Sequence, residues 1–374
     1  MTTATPSSRL VYICDWLPPD YGAVGQYATI AAEKLALDGS AVVLGGLTTG
    51  AENETDQSLG SGSLKTVKIA ARSYEKSRFV QRLVWTFLTN TRLIFRLWGH
   101  LRRADEILFT GSPPLLLHWI APANLLLRKR LTYRITDFHP ECLIAATEKP
   151  SALLNGLLRV TLFWRRRVDR FQILSEDQRV RLLAIGISSD KISLMRDASP
   201  VPVPRDTEPL PRPAGAEGKL ILLYSGNWGV AHDVGTFVGA YRRHHQTGSG
   251  RFVLWLNAVG ANASVVGNML RQEHLPLVQT SPGPLDQLAS LLVTPDAHLI
   301  TLSDAFVGYV LPSKVYGCVA SRRPILYVGS TASDVHLLCA ERSDGIYERV
   351  DVGDIDACAA ALEQLADRIQ ASAD

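Results

Sequence analysis

Leu10-Val-Tyr-Ile-Cys14, the segment Gln26 to Asp38, and Ala41-Val-Val-Leu44 decide the fold class. The first and third are short apolar runs without alternation, the pattern of strands buried on both faces. The second mixes apolar Ile30, Ala31, Leu35 and Leu37 with polar Lys34, as a helix on a sheet does, and Gly39 supplies its stop. Asp15-Trp-Leu-Pro-Pro-Asp-Tyr-Gly-Ala-Val-Gly25 is the loop between strand and helix. Strand, helix and strand in this order predict a βαβ unit of a parallel sheet.

The pattern continues outward. Residues 50–63 are rich in Gly, Ser, Asn and Thr and read as a loop, and 72–103 as a long, basic, partly helical stretch. Strands are predicted near 106–110, 131–136 and 170–174, with helices at 115–127 and 151–167. Arg196 to Lys219 holds six of the twenty prolines, too many for a helix or central strand, and reads as a semi-rigid linker. A second alternating series begins at Leu220-Ile-Leu-Leu-Tyr224 and closes on an amphipathic helix, Asp354–Ile369. The fold class is therefore α/β: a Rossmann-like domain over 1–195, a linker over 196–219, and a second Rossmann-like domain over 220–374. Both sheets are doubly wound and are expected to face each other across a cleft. Ligands of such sheets sit outside the C-terminal ends of the strands.

Composition narrows the function. The chain of 374 residues is 46% hydrophobic and 20% charged, which fits folded domains rather than disorder. Five cysteines, with no CxxC and no Cys/His cluster, argue against a structural zinc or a disulfide framework and for a reducing compartment. The polar start Met1–Arg9 shows no signal peptide. Ile107–Leu127 lacks Asp, Glu, Lys and Arg, yet Gly111, Pro113, Pro114 and Pro122 interrupt it, so it reads as a buried strand, turn and helix rather than a span. The formal net charge of +3 conceals a basic segment 1–174 and a mildly acidic remainder. Such asymmetry suggests that one half meets an anionic surface.

Three segments could carry chemistry. Gly22 and Gly25 precede a helix, where backbone N–H groups can hold an anion; a plain strand-to-helix turn is the competing reading. The arrangement is neither GxGxxG nor a P-loop, so nicotinamide and ATP are not indicated. Tyr224-Ser-Gly-Asn-Trp-Gly-Val-Ala-His-Asp233 repeats the device in the second domain, with Gly226 and Asn227 at the strand end and Asp233 as a helix cap. His232 reads either as a satisfied first-turn histidine or as a ligand. In Val310-Leu-Pro-Ser-Lys-Val-Tyr-Gly317, Pro312 and Ser313 start a helix and Lys314 lies in its first turn. The helix dipole disfavours a cation there, so Lys314 makes more sense if an anion sits beside it; otherwise it is a solvated surface lysine.

The order Tyr-Ser-Gly-Asn-x-Gly-x-Ala-His, Pro-Ser-Lys-x-Tyr-Gly and Arg-Pro-Ile-Leu resembles the second domain of retaining nucleotide-sugar glycosyltransferases of family 4. The branch related to colanic-acid and O-antigen transferases is the most similar. Trp16-Leu-Pro-Pro-Asp-Tyr-Gly22 and Asp137-Phe-His-Pro-Glu141 resemble that family's first-domain segments, and Asp344-Gly-Ile fits its tail. The resemblance covers nearly the whole chain. It implies a GT-B fold, with the donor on the C-terminal domain and the acceptor on the N-terminal one. It places the donor at Gly22, Gly25, Gly226, Asn227, His232, Pro312, Ser313, Lys314 and Tyr316, with its diphosphate held by Gly25, Gly226, Ser313 and Lys314, and implies no metal and no cofactor beyond a UDP- or GDP-linked sugar. Asp137 and His139 would act near the transferred sugar; as structural residues they would be a turn residue and a packing partner of Pro140. Glu141 reads as structural.

One departure stands out. Two glutamates that many family members carry eight residues apart fall here on Tyr309 and Gly317. The stretch 72–103 interleaves Arg72, Lys76, Arg78, Arg82, Arg92, Arg96, Arg102 and Arg103 with aromatics and leucines, opposed only by Glu75, and Arg165-Arg-Arg167 adds to it. That pattern suits an anionic membrane surface; a core-packed helix pair with solvated arginines is the plainer reading, and no nucleic-acid motif accompanies it. The expectation is a hexosyltransferase, peripheral at the cytoplasmic membrane face, acting on a lipid-linked glycan in surface polysaccharide or glycoconjugate biosynthesis. The rivals are an inactive GT-B binding partner and a sugar-nucleotide epimerase.

Overall fold

A computed structural model describes residues 8–20, 23–72, 79–147, 149–342 and 345–372. The chain divides into two compact units, Met1–Arg196 and Asp197–Asp374.

The first unit runs β1 (Arg9–Trp16), α1 (Ala23–Leu37), β2 (Ala41–Thr48), β3 (Asn53–Leu59), β4 (Gly62–Ala70), α2 (Phe79–Arg103), β5 (Glu106–Thr110), α3 (Leu117–Leu127), β6 (Arg130–Ile135), α4 (Glu141–Ala145), α5 (Ala152–Arg165), β7 (Arg170–Ile173), α6 (Glu176–Ala184) and β8 (Ile192–Leu194). Its sheet order is β3-β4-β2-β1-β5-β6-β7-β8. Every pairing is parallel except β3 with β4. Residues 53–59, read as loop, form that antiparallel edge strand. Its sequence, Asn-Glu-Thr-Asp-Gln-Ser-Leu, is exposed almost throughout, so no apolar pattern announced it. Where a helix pair is the plainer reading of 72–103, the described residues 79–103 form one 25-residue helix, α2.

The second unit runs β9 (Leu220–Asn227), α7 (Gly235–Gln246), β10 (Phe252–Val259), α8 (Ala261–Gln272), β11 (Leu277–Thr280), α9 (Leu288–Val293), β12 (Ala297–Thr301), α10 (Lys314–Ala320), β13 (Ile325–Val328), α11 (Asp334–Ala340), β14 (Tyr347–Val350) and α12 (Ile355–Ala371). The six strands order as β11-β10-β9-β12-β13-β14, all parallel. Strand order therefore reverses between β9 and β12, as it does between β1 and β5 in the first sheet. These reversals open the crevices where doubly wound sheets take ligands.

The proline-rich stretch belongs to the second unit. Val203 packs with Leu292 and Val293, and Ala216 joins the core of Ile221 and Val253. The Leu210 N–H donates to Thr294 Oγ1 at 2.8 Å. Without regular secondary structure it satisfies its backbone on neighbours and straps one face of the sheet.

Candidate active site

In the second unit the site is built at the β9 and β12 strand ends. Tyr224, fully buried near the end of β9, stacks on Trp228 with ring centroids 3.8 Å apart. The other face of the Tyr224 ring carries Lys314, whose Nζ lies 3.0 Å from its centroid. The lysine stem is partly exposed, but the amine itself is buried and makes no hydrogen bond among the described residues. Burial pushes its pKa well below the ordinary lysine value. A π face offsets only part of the desolvation of an ammonium. An anion arriving here would restore its charge and supply the missing acceptor.

Gly226 stands beside it, with φ of +110°, a conformation that L side chains resist; a Cβ there would lie 4.0 Å from Lys314 Cε. The strand end thus approaches the lysine with bare backbone. Asn227 is exposed at the end of the strand. His232 Nδ1 donates to the Thr301 carbonyl at 2.5 Å, joining the β9 loop to the end of β12. Burial, with Lys314 nearby, depresses the His232 pKa to about 3, so the ring is neutral. With Nδ1 donating, Nε2 is an acceptor, and it has no partner among the described residues. The loop itself is held by Asn262, whose Nδ2 donates to the Gly229 and His232 carbonyls at 2.9 and 3.2 Å. Asp233 caps the next helix, accepting from the Thr236 N–H at 3.1 Å.

Ser313 is exposed and makes no capping bond of its own. Pro312 and Tyr316 are buried. Tyr316 therefore joins the packing beneath the site, rather than the surface where a ligand would meet it. At Gly317 a Cβ would lie 3.0 Å from Leu292 Cδ1, so α10 packs on α9 where a glutamate side chain would have to pass. The departure from the family's paired glutamates thus has a packing consequence: the space is filled.

The first unit places acidic groups at the corresponding strand ends. Asp15, at the end of β1, accepts from Ser112 Oγ at 2.6 Å. Asp137, just after β6, has its carboxyl pKa raised to about 6, by burial first and by Asp15 second. Among the described residues no hydrogen bond reaches that carboxyl group to offset the effect. His139 is held through its backbone: Arg165 Nη2 donates to its carbonyl at 3.0 Å. Arg165 is fully buried, grips both oxygens of Glu141, and lies 4.9 Å over the Phe138 ring. Glu141 is structural, as expected. Arg165 is not, however, part of a basic surface; it is the internal clamp of the Asp137–Glu141 loop.

Gly25 lies inside α1, where a Cβ would overlap the Trp16 carbonyl oxygen. Its bareness lets α1 touch the end of β1, a packing demand that explains the glycine without an anion. Gly22 and Asp344 lie outside the described residues. The opening loop is pinned by Thr48 Oγ1 donating to Asp20 at 2.8 Å and by Lys68 Nζ donating to the Pro18 carbonyl at 2.5 Å. Sequence reading missed Asp15, Ser112 and Asn262. Asp15 had a usable signal, as the first polar residue after a buried strand. The described residues hold no group of three or more His, Cys, Asp or Glu placed to bind a metal.

No protein-family model matches the chain. It is 24% identical over 279 residues to a protein of Pseudomonas aeruginosa named probable glycosyltransferase WbjE, covering 72% of this chain and 67% of that one. Among solved structures, HepE of Anabaena in complex with UDP and glucose aligns with a TM-score of 0.65 at 10% identity, over 97% of this chain and 91% of that one. The E. coli trehalose-6-phosphate structure bound with UDP-2-fluoro glucose gives 0.61 at 14%, over 98% and 94%. WaaG, a glycosyltransferase involved in lipopolysaccharide biosynthesis, gives 0.58 at 12%, over 97% and 92%. The fold is GT-B. In a GT-B chain the two clusters just described, amine and imidazole in one unit and carboxyls in the other, occupy the strand ends where such sheets take ligands.

Proposed function

We propose that the protein is a retaining glycosyltransferase that moves a hexose-type sugar from a UDP- or GDP-linked donor to a glycan acceptor carried on a lipid. The work would take place at the cytoplasmic face of a membrane, in surface polysaccharide or glycoconjugate biosynthesis. The relative named WbjE and the UDP-bound GT-B neighbours support the class. The observation that carries the reading is the buried Lys314 amine, without a hydrogen-bond partner, beside the bare backbone of Gly226.

On this reading the diphosphate settles against Lys314, Gly226 and the Ser313 hydroxyl. The bond between the anomeric carbon and the phosphate oxygen breaks, and its electron pair leaves with the diphosphate. The acceptor hydroxyl bonds to the same face of that carbon, and its proton leaves on the departing phosphate. Lys314 stabilises the charge that develops on the leaving group, in a site where water does not screen it. Neutral His232 accepts from a ligand hydroxyl through Nε2. Asp137 and His139 position sugar hydroxyls. No step calls on a metal.

Thermal unfolding with and without UDP or GDP tests this. One of the two nucleotides should raise the melting temperature, and Lys314→Met should abolish the shift. If neither nucleotide stabilises the chain, the transferase reading fails and the inactive binding partner replaces it. Conversion of the nucleotide sugar to its epimer without any acceptor would instead favour an epimerase, whereas acceptor-dependent nucleotide release counts against one.

A further inference from the structure

Helices α2, α3 and α5 each link parallel strands of the first sheet, so all three run antiparallel to the strands and end over the same sheet edge. They form one layer. Trp119 Nε1 of α3 donates to Thr91 Oγ1 of α2 at 3.0 Å, and Thr161 of α5 bonds His118 of α3 at 3.0 Å. The three helices contain no Asp or Glu. Their outer surface carries large exposed apolar side chains: Phe95 and Leu126 are 79% exposed, Leu153 is 76% exposed, and Phe87 and Leu88 are also exposed. A groove of about 430 Å³ lies between α2 and α3, lined by Ile94, Phe95, Trp98 and Trp119. Exposed apolar side chains gathered on one helical layer beside such a groove mark an interaction site.

Charge selects the occupant. In mid-helix, Arg92 and Arg96 both pair with Glu52, whose single carboxylate offsets half of their charge. Among the described residues, the exposed arginines of this layer outside that cluster include Arg102 and Arg103 in the last turn of α2, Arg128 after α3, Arg166 after α5 and Arg159 within α5. A second copy of the chain would set these like charges in the same layer with no acidic helix residue to answer them. Nucleic acid would leave the phenylalanines and leucines in water. An anionic bilayer satisfies both: acyl chains for the ridge and headgroups for the arginines.

We propose that the first unit docks on an anionic membrane through the α2–α3–α5 layer, with Phe95, Leu126 and Leu153 entering the lipid and the helix-end arginines meeting headgroups. This sharpens the membrane-face reading above and rests on it for the acceptor alone. The insertion surface includes two helices outside residues 72–103, and Arg92 and Arg96 are not its anchors.

Flotation of the full chain with phosphatidylcholine vesicles, with and without phosphatidylserine, tests the proposal. The chain should float with the anionic vesicles and do so less as salt rises. Replacing Phe95, Leu126 and Leu153 together by Ser should lower partition about tenfold or more at an unchanged melting temperature. Replacing Arg102, Arg103 and Arg128 by Gln should lower it about tenfold for anionic vesicles only. The proposal is overturned if the Ser variant floats like the native chain. It is also overturned if the native chain sediments as a dimer that the Ser variant breaks. A UDP-dependent melting shift without flotation sinks this proposal alone; flotation without any nucleotide shift sinks the transferase reading alone.

Discussion

The two sheets end in opposite chemistry. At the β1/β5 crevice the groups are carboxyls, Asp15 and Asp137. At the β9/β12 crevice they are an amine and a neutral imidazole, Lys314 and His232. Desolvation acts on both with opposite sign, lifting the Asp137 pKa and lowering that of Lys314, since each site disfavours its own charged form. On the reading proposed above, the same strand-end geometry would suit one unit to neutral, hydroxyl-bearing ligands and the other to an anion. That polarity is the division of labour a sugar acceptor and a nucleotide diphosphate would require.

The largest way to break the contrast is to release the loop that carries the acidic side. Glu141→Leu leaves the Arg165 guanidinium buried and unpaired, and should cost about 3–5 kcal/mol in urea unfolding. Adding Arg165→Leu should return much of it. Next comes Lys314→Met, which keeps the stem and removes the buried amine. The fold should be at least as stable, while turnover with the nucleotide sugar drops about 10²–10³-fold.

A smaller effect follows at Asp137. The folded pKa of about 6 lies above the reference value of 3.8, so between these pH values the unfolded chain holds fewer protons than the native one. Stability therefore falls as pH rises through that window, and the penalty persists above it. Asp137→Asn should stabilise the protein by about 1–2 kcal/mol at pH 7 and leave it unchanged below pH ~4, read from denaturation curves at both pH values. The smallest effect is expected at Gly226→Ala, where the cost is conformational, about 1 kcal/mol, because the space toward Lys314 is open. A much larger loss would show that the backbone there is held more tightly than the geometry indicates.

Most of the architecture was legible because buried parallel strands write themselves as apolar runs and helices as mixed ones. Leu10–Cys14, Ala41–Leu44 and Leu220–Tyr224 all fall within observed strands. The polar edge strand Asn53–Leu59 was not legible, since it buries almost nothing. The two glycine-bearing loops looked alike and are not: Gly25 is bare to admit the Trp16 carbonyl, Gly226 to hold a positive φ beside Lys314. The basic tally misled in a similar way. It counted Arg165, which is internal, and Arg92 and Arg96, which Glu52 occupies.

The residues in order determined the fold class, the doubled βαβ series and the short list of polar groups that follow the strands. These depend on periodicity and turn chemistry, which act over a few neighbours. Tertiary structure alone decided which of those groups lose water and whom they meet. Asp15 meets Ser112 across 97 positions of chain, and the Lys314 amine comes to rest on Tyr224 of a distant strand. Desolvation and pairing between remote residues set their protonation, and no local pattern encodes either.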